Sequence, residues 1–269
     1  MTSSDGIGLA SSLPVPVLSE RLVKLWSGYK PLIAELPVGR ALTKEDLLAQ
    51  AFRVEQSGKL EMYYAPHNEH VNPEATVLII GITPGWTQMR IAYETARQAM
   101  AEGAPDEEIF RRTKEAARFA GPMRTNLIAM LNELGLQHYM QIDDCAALFK
   151  ERQELLHSIS LLKYPVFFEG SNYTGTRPPL LANAFLKERA LFFMLEELRS
   201  LTGPALMIPL GKTVEGVLRL LAEEGELDGD ACLWGFPHPS GANGHRHRQL
   251  AEGRDAMRDI LERWFQARG

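Results

Sequence analysis

Three short segments of this 269-residue chain place chemically capable side chains among turn-forming glycine and proline. They read GITPGWTQ at 81–88, EGSNYTGTRPP at 169–179 and GFPHPSGANGHR at 235–246. In the third segment, Pro237 and Pro239 fix the backbone on either side of His238. A chemical role explains this constrained turn better than packing does, and the alternative is an ordinary loop with an exposed histidine.

The elements that must position these segments are strands and helices in alternation. Apolar runs with β-branched residues predict strands at 76–82, 164–169, 205–210 and 231–236. Helical spacing predicts helices at 18–32, 44–56, 86–102, 106–119, 123–134, 181–201, 213–223 and 248–266. This alternation is typical of an α/β fold with a mostly parallel sheet between two layers of helices. Because ligands bind beyond the carboxyl ends of such strands, we expect all three segments to face one cleft.

Composition places limits on the protein class. The chain is 45% hydrophobic, carries a net charge of −5 and has only two cysteines. It therefore lacks the cysteines for a disulfide framework or a four-cysteine iron–sulfur cluster, and we expect no metal and no cofactor. No apolar run reaches transmembrane length, so we expect no membrane partner. The low cysteine count is typical of a reducing cytoplasm, and we expect a cytoplasmic monomer. We expect residues 1–14 to be flexible and 15–269 to form one domain, with 15–72 as a helical extension packed on it.

The order of the motifs resembles that of the uracil-DNA glycosylase superfamily. Residues 81–85 look like its glycine-proline loop, and 238–240 look like its His-Pro-Ser loop. Residues 118–121, followed by 127–131, resemble the segment with its stacking aromatic residue. Asn172 stands five residues before Arg-Pro-Pro, like the base-reading Asn of one branch. The resemblance extends from residue 76 to the C-terminus and implies that family's four-stranded, mostly parallel sheet.

The resemblance also implies an activity and a partner. DNA would bind with one pyrimidine nucleotide flipped into the cleft, and the bond between base and sugar would be hydrolysed, leaving an abasic site. His238 would stabilise negative charge on the base, Phe119 would stack on the base and Asn172 would read its edge. The rest of the base pocket would comprise Gly81, Ile82, Pro84, Gly85 and Trp86. Contacts to the DNA would come from Gln88, Ser240, Gly241, Asn243, Arg246 and Arg248.

Two positions depart from the family pattern. Thr83 stands where many members place Asp, Asn or Glu to position water, and a hydroxyl is a poor base. We consider Thr83 as a catalytic candidate and Glu169 as a carboxylate that could replace the missing acid. Gly85 stands where the most uracil-selective branch has Tyr, whose ring excludes 5-substituents. The resemblance therefore implies a pocket open to 5-substituted pyrimidines, such as the modified bases of some phage DNA.

Two other classes remain open from sequence. The protein could read modified or damaged DNA without turnover, because Thr83 is a weak substitute for an acid. A metal-dependent hydrolase is the second class, since His238, His245 and His247 lie within ten residues. Their spacing matches no metal-site pattern that we recognise, and no acid lies among them.

Overall fold

The protein, described here by a computed structural model for residues 25–268, has a mixed α/β fold with two β-sheets. The predicted flexible segment 1–14 and the first part of the helix predicted at 18–32 lie outside the described residues. The strands are β1 Arg53–Ser57, β2 Leu60–Tyr63, β3 Val77–Gly81, β4 Leu156–Ser160, β5 Val166–Phe168, β6 Ser171–Asn172 and β7 Leu206–Pro209. The α/β class expected from the sequence is confirmed.

Nine α-helices surround the sheets in the described part of the chain. They are α1 Trp26–Ala34, α2 Lys44–Leu47, α3 Trp86–Ala101, α4 Asp106–Ala117, α5 Pro122–Leu134, α6 Leu136–Tyr139, α7 Ala184–Ser200, α8 Lys212–Glu223 and α9 Arg246–Gln266. Helices α3 and α4 pack on each other, and α9 packs on α5. The predicted helices from residue 86 onward are all present, with ends that differ by at most three residues.

The central sheet is parallel, in the order β4–β3–β7. Every residue of β3 is buried, so both faces of the sheet are covered, as the apolar run at 77–80 requires. The expected four-stranded parallel sheet is not formed. The fourth predicted strand, 231–236, makes a single parallel bridge from Cys232 to Met207. Gly235, with a φ of 85°, then turns the chain away from β7.

The second sheet is antiparallel, in the order β1–β2–β5–β6. The helix predicted at 44–56 is wrong, because α2 ends at Leu47 and residues 53–57 form β1. Pairing with β2 through a turn at Gly58 overrides the local helical pattern. The predicted extension at 15–72 is therefore not purely helical. The strand expected at 164–169 exists as β5, but it belongs to this sheet and not to the parallel one.

One continuous apolar core joins these elements, from Ile33 in α1 to Trp264 in α9. Strand β4 has no counterpart among the predicted strands, since His157 and Ser158 interrupt its apolar pattern although both are buried. Among residues 25–268, none of the helices combines the length and apolar character needed to cross a membrane.

Candidate functional site

A cavity of about 620 Å³ opens at the carboxyl ends of the parallel strands. Gly81 at the end of β3 and Ser160 at the end of β4 line it, together with Leu210, which follows β7. This is where an α/β sheet binds ligands, and the volume is in the range of small-molecule sites.

Most of the residues predicted from the sequence meet in this cavity. The lining includes Gly81, Ile82, Thr83, Gly85, Trp86, Gln88, Phe119, Asn172, His238, Ser240 and Asn243. Five predicted residues are not in the lining: Pro84, Glu169, Gly241, Arg246 and Arg248. Pro84 is a buried residue of the first loop, and Gly241 and Arg248 are exposed near the start of α9.

His238 has a defined tautomer. The backbone N–H of Ser240 donates to His238 Nδ1 over 3.2 Å, so Nδ1 must be unprotonated. Burial lowers the pKa of His238 below its usual value of 6.5, which favours the neutral ring near neutral pH. The proton therefore sits on Nε2, which makes no hydrogen bond within the described residues. His238 is a neutral donor on the cavity wall.

The loop around His238 is held by amide side chains. Asn126 of α5 donates to the carbonyl of Pro239 over 2.8 Å, and Asn243 donates to the carbonyl of His238 over 3.1 Å. Behind the loop, Gly211 approaches so closely that a β-carbon there would lie 3.0 Å from His238 Cβ. These contacts fix the imidazole and give Asn243 a positioning role, while its contact to DNA stays a prediction.

Phe119 lies in a tight connection between α4 and α5. Its φ of 50° is unusual for a residue with a side chain and costs on the order of 1–3 kcal/mol. Arg124 of α5 donates to the carbonyl of Arg118 over 2.6 Å and so closes the connection. The ring, 5% exposed, lines the cavity beside Gly81, where a β-carbon would lie 3.8 Å from Phe119 Cε1.

Asn172 is oriented by the N-terminus of α3. The backbone N–H of Trp86 donates to Asn172 Oδ1 over 2.9 Å, which fixes the amide oxygen on that side. Asn172 Nδ2 makes no hydrogen bond within the described residues and lies near Gly85, where a β-carbon would be 3.5 Å away. The amide therefore offers the cavity mainly a donor, whereas we predicted both a donor and an acceptor.

Thr83 is occupied by backbone contacts. Its hydroxyl donates to the carbonyl of Tyr164 over 3.1 Å and accepts from the N–H of Val166 over 3.0 Å. These bonds join the first loop to the start of β5. The hydroxyl proton is thus committed to the backbone, and the geometry favours a structural role for Thr83 over the predicted catalytic one.

Glu169 points away from the cavity. Glu169 and Gly170 both have positive φ, 50° and 72°, and form the two-residue turn between β5 and β6. The Glu169 carboxylate is exposed and pairs with Lys59. The structure therefore gives it no access to a ligand in the cavity, and it does not replace the missing acid.

The electrostatics of the cavity favour negative charge. None of the described residues in its lining is Asp or Glu, although the chain carries 34 acids. Lys212 lines the rim without an ion-pair partner among the described residues. Helices α3 and α8 also begin at the cavity, with Gly85 and Gly211 as their N-caps, and each contributes partial positive charge.

Four functional candidates were not found from the sequence. Ser160 lies on β4, which the sequence pattern does not predict, and Lys212 lies just before the helix predicted at 213–223, outside the three segments. Asn126 and Arg124 act through hydrogen bonds to distant or non-helical backbone, for which the sequence has no signal.

Metal binding has no support in the arrangement of side chains. Within residues 25–268, no three His, Cys, Asp or Glu side chains are grouped so that they could hold a metal ion. His245 and His247 are exposed at the start of α9, while His238 lines the cavity. The geometry therefore does not favour the metal-dependent hydrolase.

Fold and site together define an α/β protein with a ligand-sized cavity at the carboxyl ends of its parallel strands, and the lining formed by residues 25–268 contains no Asp or Glu. The chain is 46% identical over 217 residues to YoxB of Bacillus subtilis (strain 168), described as an uncharacterized protein, and the match covers 81% of this chain and 85% of YoxB. The chain belongs to the same family as YoxB. No protein-family model matches the chain, and no solved structure matches it.

Proposed function

We propose that this protein is a DNA glycosylase of the uracil-DNA glycosylase superfamily, which hydrolyses the bond between a flipped pyrimidine and its sugar. One observation carries the proposal: the neutral His238, with Nδ1 occupied and Nε2–H free, shares a cavity with the ring of Phe119 and the amide of Asn172. A ring for stacking, a donor for the base edge and a donor for developing charge are the groups that base release needs.

The reaction would proceed by stabilisation of the leaving base. As the N1–C1′ bond breaks, both electrons of the bond move to the base, and negative charge develops on its O2. His238 Nε2–H donates to O2, while the positive ends of α3 and α8 favour the anion. Water adds its oxygen to C1′, and its released proton balances the charge of the departing base.

The missing general base limits the substrate range. Since no carboxylate of the described residues lines the cavity, little assistance is available to the attacking water. Bases that leave easily as anions should therefore react best. The volume of about 620 Å³ is compatible with a substituent at the 5-position of a pyrimidine, and the Asn172 amide, 3.5 Å from where a β-carbon on Gly85 would lie, borders that part of the cavity.

A second candidate function is recognition of modified DNA without turnover. The observation that favours it is Thr83, whose hydroxyl is engaged by the backbone at the position where a water-positioning acid would stand. In both functions DNA enters the same cavity, and Lys212 is a candidate for a phosphate contact. DNA binding, the monomeric state and the cytoplasmic location remain predictions.

The test is base release from single- and double-stranded oligonucleotides that contain one uracil, hypoxanthine or 5-modified cytosine, followed by alkaline cleavage. Strand scission at the modified position supports the glycosylase. Tight binding without scission, at enzyme in excess over DNA, supports the reader. Neither scission nor preferential binding with any member of the panel rejects both functions.

Two variants of His238 separate its two contacts, because each keeps one of them and loses the other. In His238→Asn, the amide oxygen can take the place of Nδ1 and accept from Ser240, but the Nε2 donor is lost. In His238→Gln, the amide nitrogen can take the place of Nε2. We expect His238→Asn to lower the single-turnover rate by about 10²-fold, as for loss of one oxyanion donor, and His238→Gln to lose less. Equal rates for wild type and His238→Asn contradict this role.

A further inference from the structure

We infer that Ser160 is a base-reading residue, whose hydroxyl hydrogen-bonds the N3 position of the flipped pyrimidine; the inference rests on the proposed glycosylase function. Ser160 is the last residue of β4, lies opposite Gly81 in the parallel register, and lines the cavity. Its hydroxyl makes no hydrogen bond within the described residues. It is thus a polar group at the cavity floor that is available to a ligand.

The position of the hydroxyl relative to Phe119 is the main argument. A β-carbon on Gly81 would lie 3.7 Å from Ser160 Oγ and 3.8 Å from Phe119 Cε1, so both side chains border the same small space. A base stacked on the Phe119 ring would therefore bring one edge to Ser160. The base remains tethered to DNA through N1, so the atoms farthest from N1, which are N3, C4 and C5, reach the floor.

The other polar groups of the cavity would contact other parts of the base, so N3 is the atom available to Ser160. His238 would donate to O2, and the donor Nδ2 of Asn172 lies at the far end of the first loop, beside Gly85. A hydroxyl can accept from the N3–H of a uracil-type base and donate to the bare N3 of a cytosine-type base. Ser160 would therefore hold the ring edge of either type, in contrast to an amide with fixed orientation.

Ser158 provides a matched control on the same strand. It is two residues before Ser160 and therefore faces the same side of β4. Ser158 is 3% exposed, its Oγ is buried without a hydrogen bond, and it is not part of the cavity lining. Ser158→Ala and Ser160→Ala each remove one serine hydroxyl from β4, and only the second removes a group that faces the cavity.

The experiment compares single-turnover base release by wild type, Ser160→Ala, Ser160→Thr and Ser158→Ala on DNA containing uracil or 3-deazauracil, in which a C–H replaces N3–H. We expect Ser160→Ala to release uracil about tenfold more slowly, Ser160→Thr to recover part of the loss, and Ser158→Ala to match wild type. The ratio of uracil to 3-deazauracil rates should fall below the wild-type ratio in Ser160→Ala only. A general structural defect would lower both rates and leave that ratio unchanged.

Failure of the Ser160 role and failure of the glycosylase give different results. If wild type releases uracil and Ser160→Ala keeps the wild-type ratio, the inference about Ser160 is overturned while the glycosylase stands. If wild type releases no base from the panel but binds uracil DNA in preference to unmodified DNA, the glycosylase proposal fails. The role of Ser160 is then tested by dissociation constants: the preference for uracil over 3-deazauracil DNA should be smaller in Ser160→Ala than in wild type, and an unchanged preference overturns the inference. If wild type shows neither release nor preference, both are overturned.

Discussion

The hydrogen bond from Asn126 to the carbonyl of Pro239 predicts a variant with a small loss of stability and a large loss of activity. Asn126→Ala removes one 2.8 Å bond that joins α5 to the loop of His238. Loss of one such bond lowers the free energy of unfolding by about 1 kcal/mol. The loop then loses its hydrogen bond to α5, and a displacement of His238 by about 1 Å can lower the rate of base release by about 10²-fold.

Asn132→Ala is the control because it removes an amide from the same helix. Asn132 donates to Asp144 and accepts from the N–H of Cys145, over 2.9 and 2.8 Å, without contact to the loop of His238. Its loss should destabilise the protein at least as much as Asn126→Ala while the rate stays at the wild-type value. Urea unfolding gives the stabilities, and single-turnover assays well below both unfolding midpoints give the rates. If the two variants have the same rate, the reasoning about the loop is refuted.

Two further predictions concern Thr83 and the pH dependence. Thr83→Val leaves the carbonyl of Tyr164 and the N–H of Val166 without their hydrogen bonds. We therefore expect urea unfolding to show a free energy of unfolding lower by about 1–3 kcal/mol, while the rate of base release is largely retained. A large loss of rate at unchanged stability would instead support a catalytic role for Thr83. Burial lowers the pKa of His238 below 6.5, and the proposed mechanism uses the neutral ring. Base release should therefore be constant above pH 7 and fall as the pH drops through that lowered pKa. Single-turnover rates from about pH 5 to 9 measure this, and a rate that rises toward acid would show that the charged ring is active.

The cavity could be anticipated from the sequence because its loops carry their own signals. The Gly-Ile-Thr-Pro-Gly loop follows the apolar run of β3, and the prolines around His238 fix a turn after the last predicted strand. Both features are local, and a loop that follows β3 reaches the carboxyl end of the parallel sheet by topology alone. Asn172 reaches the same cavity from the antiparallel sheet, which the topology rule does not predict. The tautomer of His238 depends on a bond to Ser240 whose geometry only the folded loop determines.

The misjudged residues depend on pairings between distant segments. The sequence pattern places Glu169 at the end of a parallel strand, where a carboxylate could reach a ligand. In the structure, Glu169 lies in the turn between β5 and β6 and pairs with Lys59. Ser160 was overlooked because β4 mixes polar and apolar residues, and the burial of His157 and Ser158 shows only in the assembled sheet. Register between strands decides which side chains face the cavity, and composition does not encode it.

The hydrogen bonds of Thr83 also affect how the cavity can change during evolution. Ser160 lies on the parallel sheet and Phe119 between helices that pack on it, whereas Asn172 lies on the antiparallel sheet. The Thr83 hydroxyl joins the two sheets, because it follows β3 and hydrogen-bonds the backbone at the start of β5. Under the proposed function, the base would fit into a gap between side chains that belong to two different sheets. Substitutions where the two sheets meet can widen or narrow that gap without altering any side chain that lines the cavity. Under the same proposal, relatives with identical cavity residues would differ in the size of the base that fits.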